Sequence, residues 1–100
     1  AKQYAFCSDT AFNEALVPHI KGVDLLYHES TFLEQHLELA AKTKHSTAKQ
    51  AAKIAQNAQV KKLILGHFSN RYSDYKAFIE EAQPIFENVQ LAEDLKSFSI

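Results

Sequence analysis

The chain has 100 residues, a formal net charge of −1, 46% hydrophobic and 23% charged residues, the balance of a small globular domain. No apolar run approaches the roughly 20 residues that cross a bilayer, and a net charge near zero sets up no global field for a polyanion. One cysteine, Cys7, excludes an internal disulfide and fits a reducing, cytoplasmic setting.

In chain order, YAFCSDT (4–10) reads as a short strand running into a polar turn. FNEALVPHIKG (12–22) reads as a short helix that Pro18 bends or ends and Gly22 closes. VDLLYHES (23–30) is a strand. Thr31 and Glu34 have the spacing of a capping box and open a helix through about Lys42; Thr47 and Gln50 repeat the spacing and open another over 48–58. That helix carries Ala48, Ala51, Ala52, Ala55 and Ala58 at three and four spacing, a face that lets it lie close to a sheet. VKKLILGHF (60–68) is the strongest strand, YKAFIEEA (75–82) a helix stopped before Pro84, and NVQLAED (88–94) a last short strand followed by the tail LKSFSI. This order is that of an α/β protein. The chain has no methionine and starts Ala-Lys-Gln-Tyr, directly before a strand, which leads to the expectation of a C-terminal piece of a longer protein.

Ligands of α/β sheets gather at the carboxyl ends of strands. Asp9 ends the first strand, His28 and Glu29 the second, His67 the strongest, and His45 lies just before a helix N-terminus. Each has a plainer reading: Asp9 as a turn cap, Glu29 as a helix-dipole charge, His45 as an exposed loop residue. His28 and Glu29 are neighbours, so on a strand they face opposite ways. His67 follows LILG, and Gly66 is read as the residue that lets the backbone turn or approach closely, aiming the imidazole at the cleft. His19 and His36 read as surface helix residues. Between Ala41 and Lys62 stand Lys42, Lys44, Lys49, Lys53, Lys61 and Lys62 with no acid, a solvated face or a local phosphate-facing patch. HESTF misses the H-E-x-x-H zinc pattern at Phe32, and there is no P-loop, no G-x-G-x-x-G and no G-x-S-x-G elbow.

Four segments, SDT (8–10), HESTF (28–32), HSTAKQAAKIA (45–55) and LILGHFSNRY (63–72), occur in the order and approximate spacing of ribonuclease Z. The chain resembles that family, the zinc-dependent tRNA 3′-processing endonucleases of the metallo-β-lactamase superfamily, over almost its whole length. The resemblance implies the C-terminal half of an αββα sandwich, residues 1–100, with a mixed sheet and helices on one face. The other face is expected to be apolar and to favour self-association. It implies Asp9 as the carboxylate bridging two zinc ions, His67 as the last histidine ligand, and Glu29 with His45 as a pair assisting proton transfer to the leaving oxygen. Arg71 and Tyr72 share the motif without an assigned role. It further implies a precursor tRNA substrate and a homodimer, beside the cytoplasmic location and lack of membrane attachment expected from the composition. The family's H-x-H-x-D-H motif is absent here. Zinc takes about four ligands and only two positions match, so this chain alone is expected to be inactive. Two other readings stand beside it: another phosphodiesterase of the superfamily, and a non-catalytic α/β interaction module whose histidines are incidental.

Overall fold

The computed structural model describes residues 2–8 and 11–92. Asp9 and Thr10, the end of the expected last strand and the tail from Leu95 lie outside the described residues. Four strands, β1 (Tyr4–Cys7), β2 (Leu25–Glu29), β3 (Leu63–Gly66) and β4 (Val89–Leu91), form one sheet in the order β1-β2-β3-β4. All three pairings are parallel, where a mixed sheet was expected. Each crossover carries helix: α1 (Val17–Ile20), then α2 (Leu37–Thr43) and α3 (Ala48–Ala58), then α4 (Lys76–Ala82). Parallel neighbours need such crossovers, and crossovers of one hand advancing in one direction lay their helices on one face.

The register settles which side chains meet those helices. Cys7, His28, Leu65 and Leu91 are level across the sheet, as are Leu26, Leu63 and Val89. Apart from the buried His28, their side chains join Ile20 of α1, the α3 stripe and Phe78 and Ala82 of α4 in one core. Ala48, Ala51, Ala52, Ala55 and Ala58 are all fully buried, so the small-residue face does bring α3 close to the sheet. The Thr47 hydroxyl accepts from Gln50 N–H and the Gln50 side chain accepts from Thr47 N–H, the expected capping box. On the opposite face Phe6 stacks on Tyr27 with ring centroids 5.8 Å apart. Phe6 remains 63% exposed there, while Leu25 and Ile64 on the same face are buried.

Two local expectations differ from the structure. Pro18 neither bends nor ends its helix: it sits in the first turn of α1, after a 3-10 turn at Glu14–Leu16, where its missing N–H costs no hydrogen bond. Thr31 and Glu34 form no capping box. A 3-10 turn begins at Glu34 and α2 only at Leu37, because the Thr31 hydroxyl donates to Glu29 and the Glu34 carboxylate accepts from Thr47 Oγ1. A buried carboxylate two residues back and a hydroxyl thirteen residues on outcompete the capping-box partners.

Candidate functional site

The level register of a parallel sheet brings the carboxyl ends of β2 and β3 side by side, Glu29 opposite Gly66. Glu29 ends β2 on the face away from His28 and is fully buried. Four donors converge on its carboxylate. Oε1 accepts from Ser46 N–H at 2.9 Å and pairs with His45 Nδ1 at 3.1 Å. Oε2 accepts from Thr31 N–H at 2.9 Å and from Thr31 Oγ1–H at 2.7 Å. A carboxylate is an acceptor only, so His45 donates through Nδ1.

His45 reaches Glu29 through the end of α2. Lys44 closes that helix in the left-handed conformation, φ 62, and His45 N–H reaches back to Ala40 O at 2.8 Å, the turn that usually takes glycine. The next residues are stitched to the Glu29 strand extension: Phe32 N–H donates to Ser46 O at 3.3 Å and Ala48 N–H to Phe32 O at 3.0 Å.

His67 follows β3 directly. The left-handed backbone lies at His67 itself, φ 61, and not at Gly66. Gly66 answers a different need: Tyr27 on the neighbouring strand fills the space of its missing side chain. The His67 turn is pinned on both sides. Ser30 N–H donates to Gly66 O and Ser69 N–H to Thr31 O, both at 2.9 Å. Phe68 and Tyr72 grip the fully buried Phe78 of α4, at 4.6 and 5.2 Å between centroids. The Tyr72 hydroxyl also accepts from Leu33 N–H at 2.9 Å and pairs with His36 Nδ1, and the Arg71 guanidinium lies 5.8 Å from the Phe32 ring centre. Tyr72 and Arg71 therefore bind the loop after β3 to the loop after β2. The His36 partner was missed in the sequence because 36 residues separate it from Tyr72.

The result is a cluster. His67 Nδ1 lies 3.0 Å from Thr31 Oγ1, and the His45 and His67 rings stack at 5.4 Å between centroids. Glu29, His45 and His67 each offer a ligand atom within 4.8 Å of the others, so the donor set is of a kind that takes a transition metal. Within it Glu29 already accepts two hydrogen bonds on each oxygen. Asp9, the other expected ligand, lies outside the described residues.

His28 takes no part in the cluster. It is fully buried beneath the sheet, its Nδ1 2.7 Å from Glu29 O, and its Nε2 has no hydrogen-bond partner among the described residues. Burial pushes its pKa below the ordinary 6.5, against the opposing pull of the Glu29 carbonyl and charge. Burial, then the Glu29 charge, raises the Tyr27 phenol, and burial alone raises the Cys7 thiol. The lysines divide. Lys61 and Lys62 precede β3, and Lys61 Nζ pairs with Asp24 at 3.1 Å at the amino ends of the strands. They stand away from His45, and no single phosphate-facing patch unites all six. No described helix is long and apolar enough to cross a membrane.

No protein-family model matches the chain. It is 54% identical over 100 residues to ribonuclease Z of Cytophaga hutchinsonii, covering all of this chain and 32% of that protein. It is 52% identical to ribonuclease Z of Parabacteroides distasonis, over 99% of this chain and 33% of that protein. The chain thus spans about a third of the length of the curated relatives it matches. Among solved structures it is similar to a long form RNase Z from yeast, TM-score 0.70, 32% identity, over 87% of this chain and 12% of that one. Human tRNase Z, short form, gives a TM-score of 0.61 at 31% identity over 86% of this chain and 27% of that one. The metallo-β-lactamase fold protein YhfI from Bacillus subtilis gives 0.80 at 23% identity, over 87% of this chain and 35% of that one, a likeness of fold alone. The chain is a homologue of part of ribonuclease Z, with part of the metallo-β-lactamase fold.

Proposed function

We propose that this homologue of ribonuclease Z is the C-terminal half of a metallo-β-lactamase-like domain in a zinc-dependent endoribonuclease that removes the 3′ trailer from precursor tRNA. The observation that carries the reading is the buried Glu29 carboxylate holding His45 against His67 at the carboxyl ends of β2 and β3. His67 and Asp9 would hold zinc, with the other ligands supplied from outside this chain. When bound, zinc supplies Lewis-acid activation of water and of the scissile phosphate.

The chain's own part is the handling of a proton. Glu29 orients His45 through Nδ1. His45 Nε2 then gives a proton to the departing 3′ oxygen, a task for which an imidazole suits neutral pH. The whole protein is read as cytoplasmic, and as a homodimer on its resemblance to ribonuclease Z alone.

The test is cleavage of a precursor tRNA with a 3′ trailer by the full-length protein. Glu29→Gln, His45→Ala and His67→Ala should each lower turnover roughly 100-fold or more with the far-ultraviolet circular dichroism unchanged. Unaltered cleavage in folded variants would favour the interaction-module reading. A panel of other phosphodiesters separates tRNA processing from a different phosphodiesterase activity. The 100-residue chain with excess zinc should not cleave, and sedimentation of the full-length protein should give a dimer mass.

A further inference from the structure

Thr31 stands between the Glu29 carboxylate and His67. Its hydroxyl carries one proton and touches two groups: Glu29 Oε2 at 2.7 Å and His67 Nδ1 at 3.0 Å. The carboxylate can only accept, and its Oε2 already faces the N–H of the same threonine, so the hydroxyl proton goes to Oε2. His67 Nδ1 must then be the donor to Thr31 Oγ1. The reverse arrangement would set two oxygens 2.7 Å apart with no proton between them. We propose that Thr31 is a positioning residue that fixes His67 in its Nδ1–H form, leaving the lone pair on Nε2, the nitrogen a metal would take. One buried carboxylate thereby sets both imidazoles, His45 directly and His67 through Thr31.

The backbone supports the arrangement. Ser69 N–H donates to Thr31 O at 2.9 Å, so residue 31 holds the loop on one side of His67 and the ring itself on the other. His67 sits in the left-handed region, φ 61, an uncommon conformation for a side-chain-bearing residue, and both tethers to Thr31 hold it there. A metal-bound histidine ordinarily donates its second ring nitrogen to a fixed acceptor, which sets its tautomer and orientation. Thr31 Oγ1 is such an acceptor, made so by Glu29.

The zinc part of this inference rests on His67 being a ligand, as proposed above; the tautomer part does not. The experiment is a long-range 1H–15N correlation spectrum of the full-length protein labelled with 15N-histidine, metal-free, with His67 assigned through His67→Gln. The expected pattern is protonated Nδ1 and unprotonated Nε2 for His67. Thr31→Ser should keep it, and Thr31→Val should lose it. In chelator competition, zinc should bind the valine variant roughly 10–100-fold more weakly and the serine variant about as well as the native protein. A native His67 protonated at Nε2 overturns the proposal, and it does so even if the valine variant fails to fold. So does a folded valine variant with native tautomer or native zinc affinity. If His67→Gln leaves zinc binding unchanged, the ligand reading of His67 fails, and the spectra still decide the tautomer.

Discussion

The phenol ring of Tyr27 lies where a side chain at Gly66 would have to go. A Cβ at residue 66 would stand 2.2 Å from Tyr27 Oη and 2.7 Å from Cζ. The glycine before His67 is thus required by a neighbouring strand, and the turn into the site is made one residue later. Tyr27 is itself confined, stacked on Phe6. Gly66→Ala should destabilise the fold by about 1–3 kcal/mol, the cost of overpacking. Adding Tyr27→Ala should relieve part of that cost, so a double-mutant cycle by urea denaturation should give a coupling of about 0.5 kcal/mol or more. Strict additivity would rule out the steric account.

Glu29 is a structural acceptor as well as a candidate catalytic group. In Glu29→Gln one oxygen is replaced by an amide that cannot accept from the donors it faces: Thr31 N–H and Oγ1–H on one side, Ser46 N–H and His45 on the other. Stability should fall by about 1–3 kcal/mol, the cost of leaving a buried group unsatisfied. Denaturation of Glu29→Gln and His45→Ala should therefore separate the two, with the glutamate change costing more. Equal costs would mean that the backbone donors find other partners.

Tyr72 and Arg71 both tie the His67 loop to residues 31–36, but by different means. Tyr72→Phe removes the acceptor of Leu33 N–H and should cost about 1–2 kcal/mol. Arg71 lies over Phe32 at 5.8 Å and is exposed, so Arg71→Ala should cost no more than about 1 kcal/mol. A larger loss for arginine than for the tyrosine hydroxyl would reverse this ranking.

The buried His28 makes stability depend on pH. Its folded pKa is depressed while the unfolded chain titrates near 6.5, so below about that pH the unfolded state binds a proton that the folded state refuses. Its contribution is fully present above pH 6.5 and is lost as pH falls towards the folded pKa. Denaturation midpoints should drop between pH 7.5 and pH 5.5, and drop less in His28→Leu. Parallel drops in the two proteins would assign the acid sensitivity to other groups.

The sequence by itself determined the elements and their order, because those depend on contacts a few residues apart. The apolar runs of β2 and β3, the alanine face of α3 and the Thr47–Gln50 capping box are each written within one helix or one strand. It also placed Glu29, His45 and His67 at the ends of elements where a site could form. The tertiary structure decided which polar groups answer which. Thr31 and Glu34 have the same spacing as Thr47 and Gln50, yet the Thr31 hydroxyl is drawn to a buried carboxylate and Glu34 to Thr47. The role of Gly66, the pairing of Tyr72 with His36 and the division of the lysines between the two ends of the sheet likewise rest on residues that only the parallel register brings together. Local spacing offers a polar side chain a partner; burial raises the cost of leaving any group unpaired, and in the folded chain the strongest acceptor within reach takes the proton.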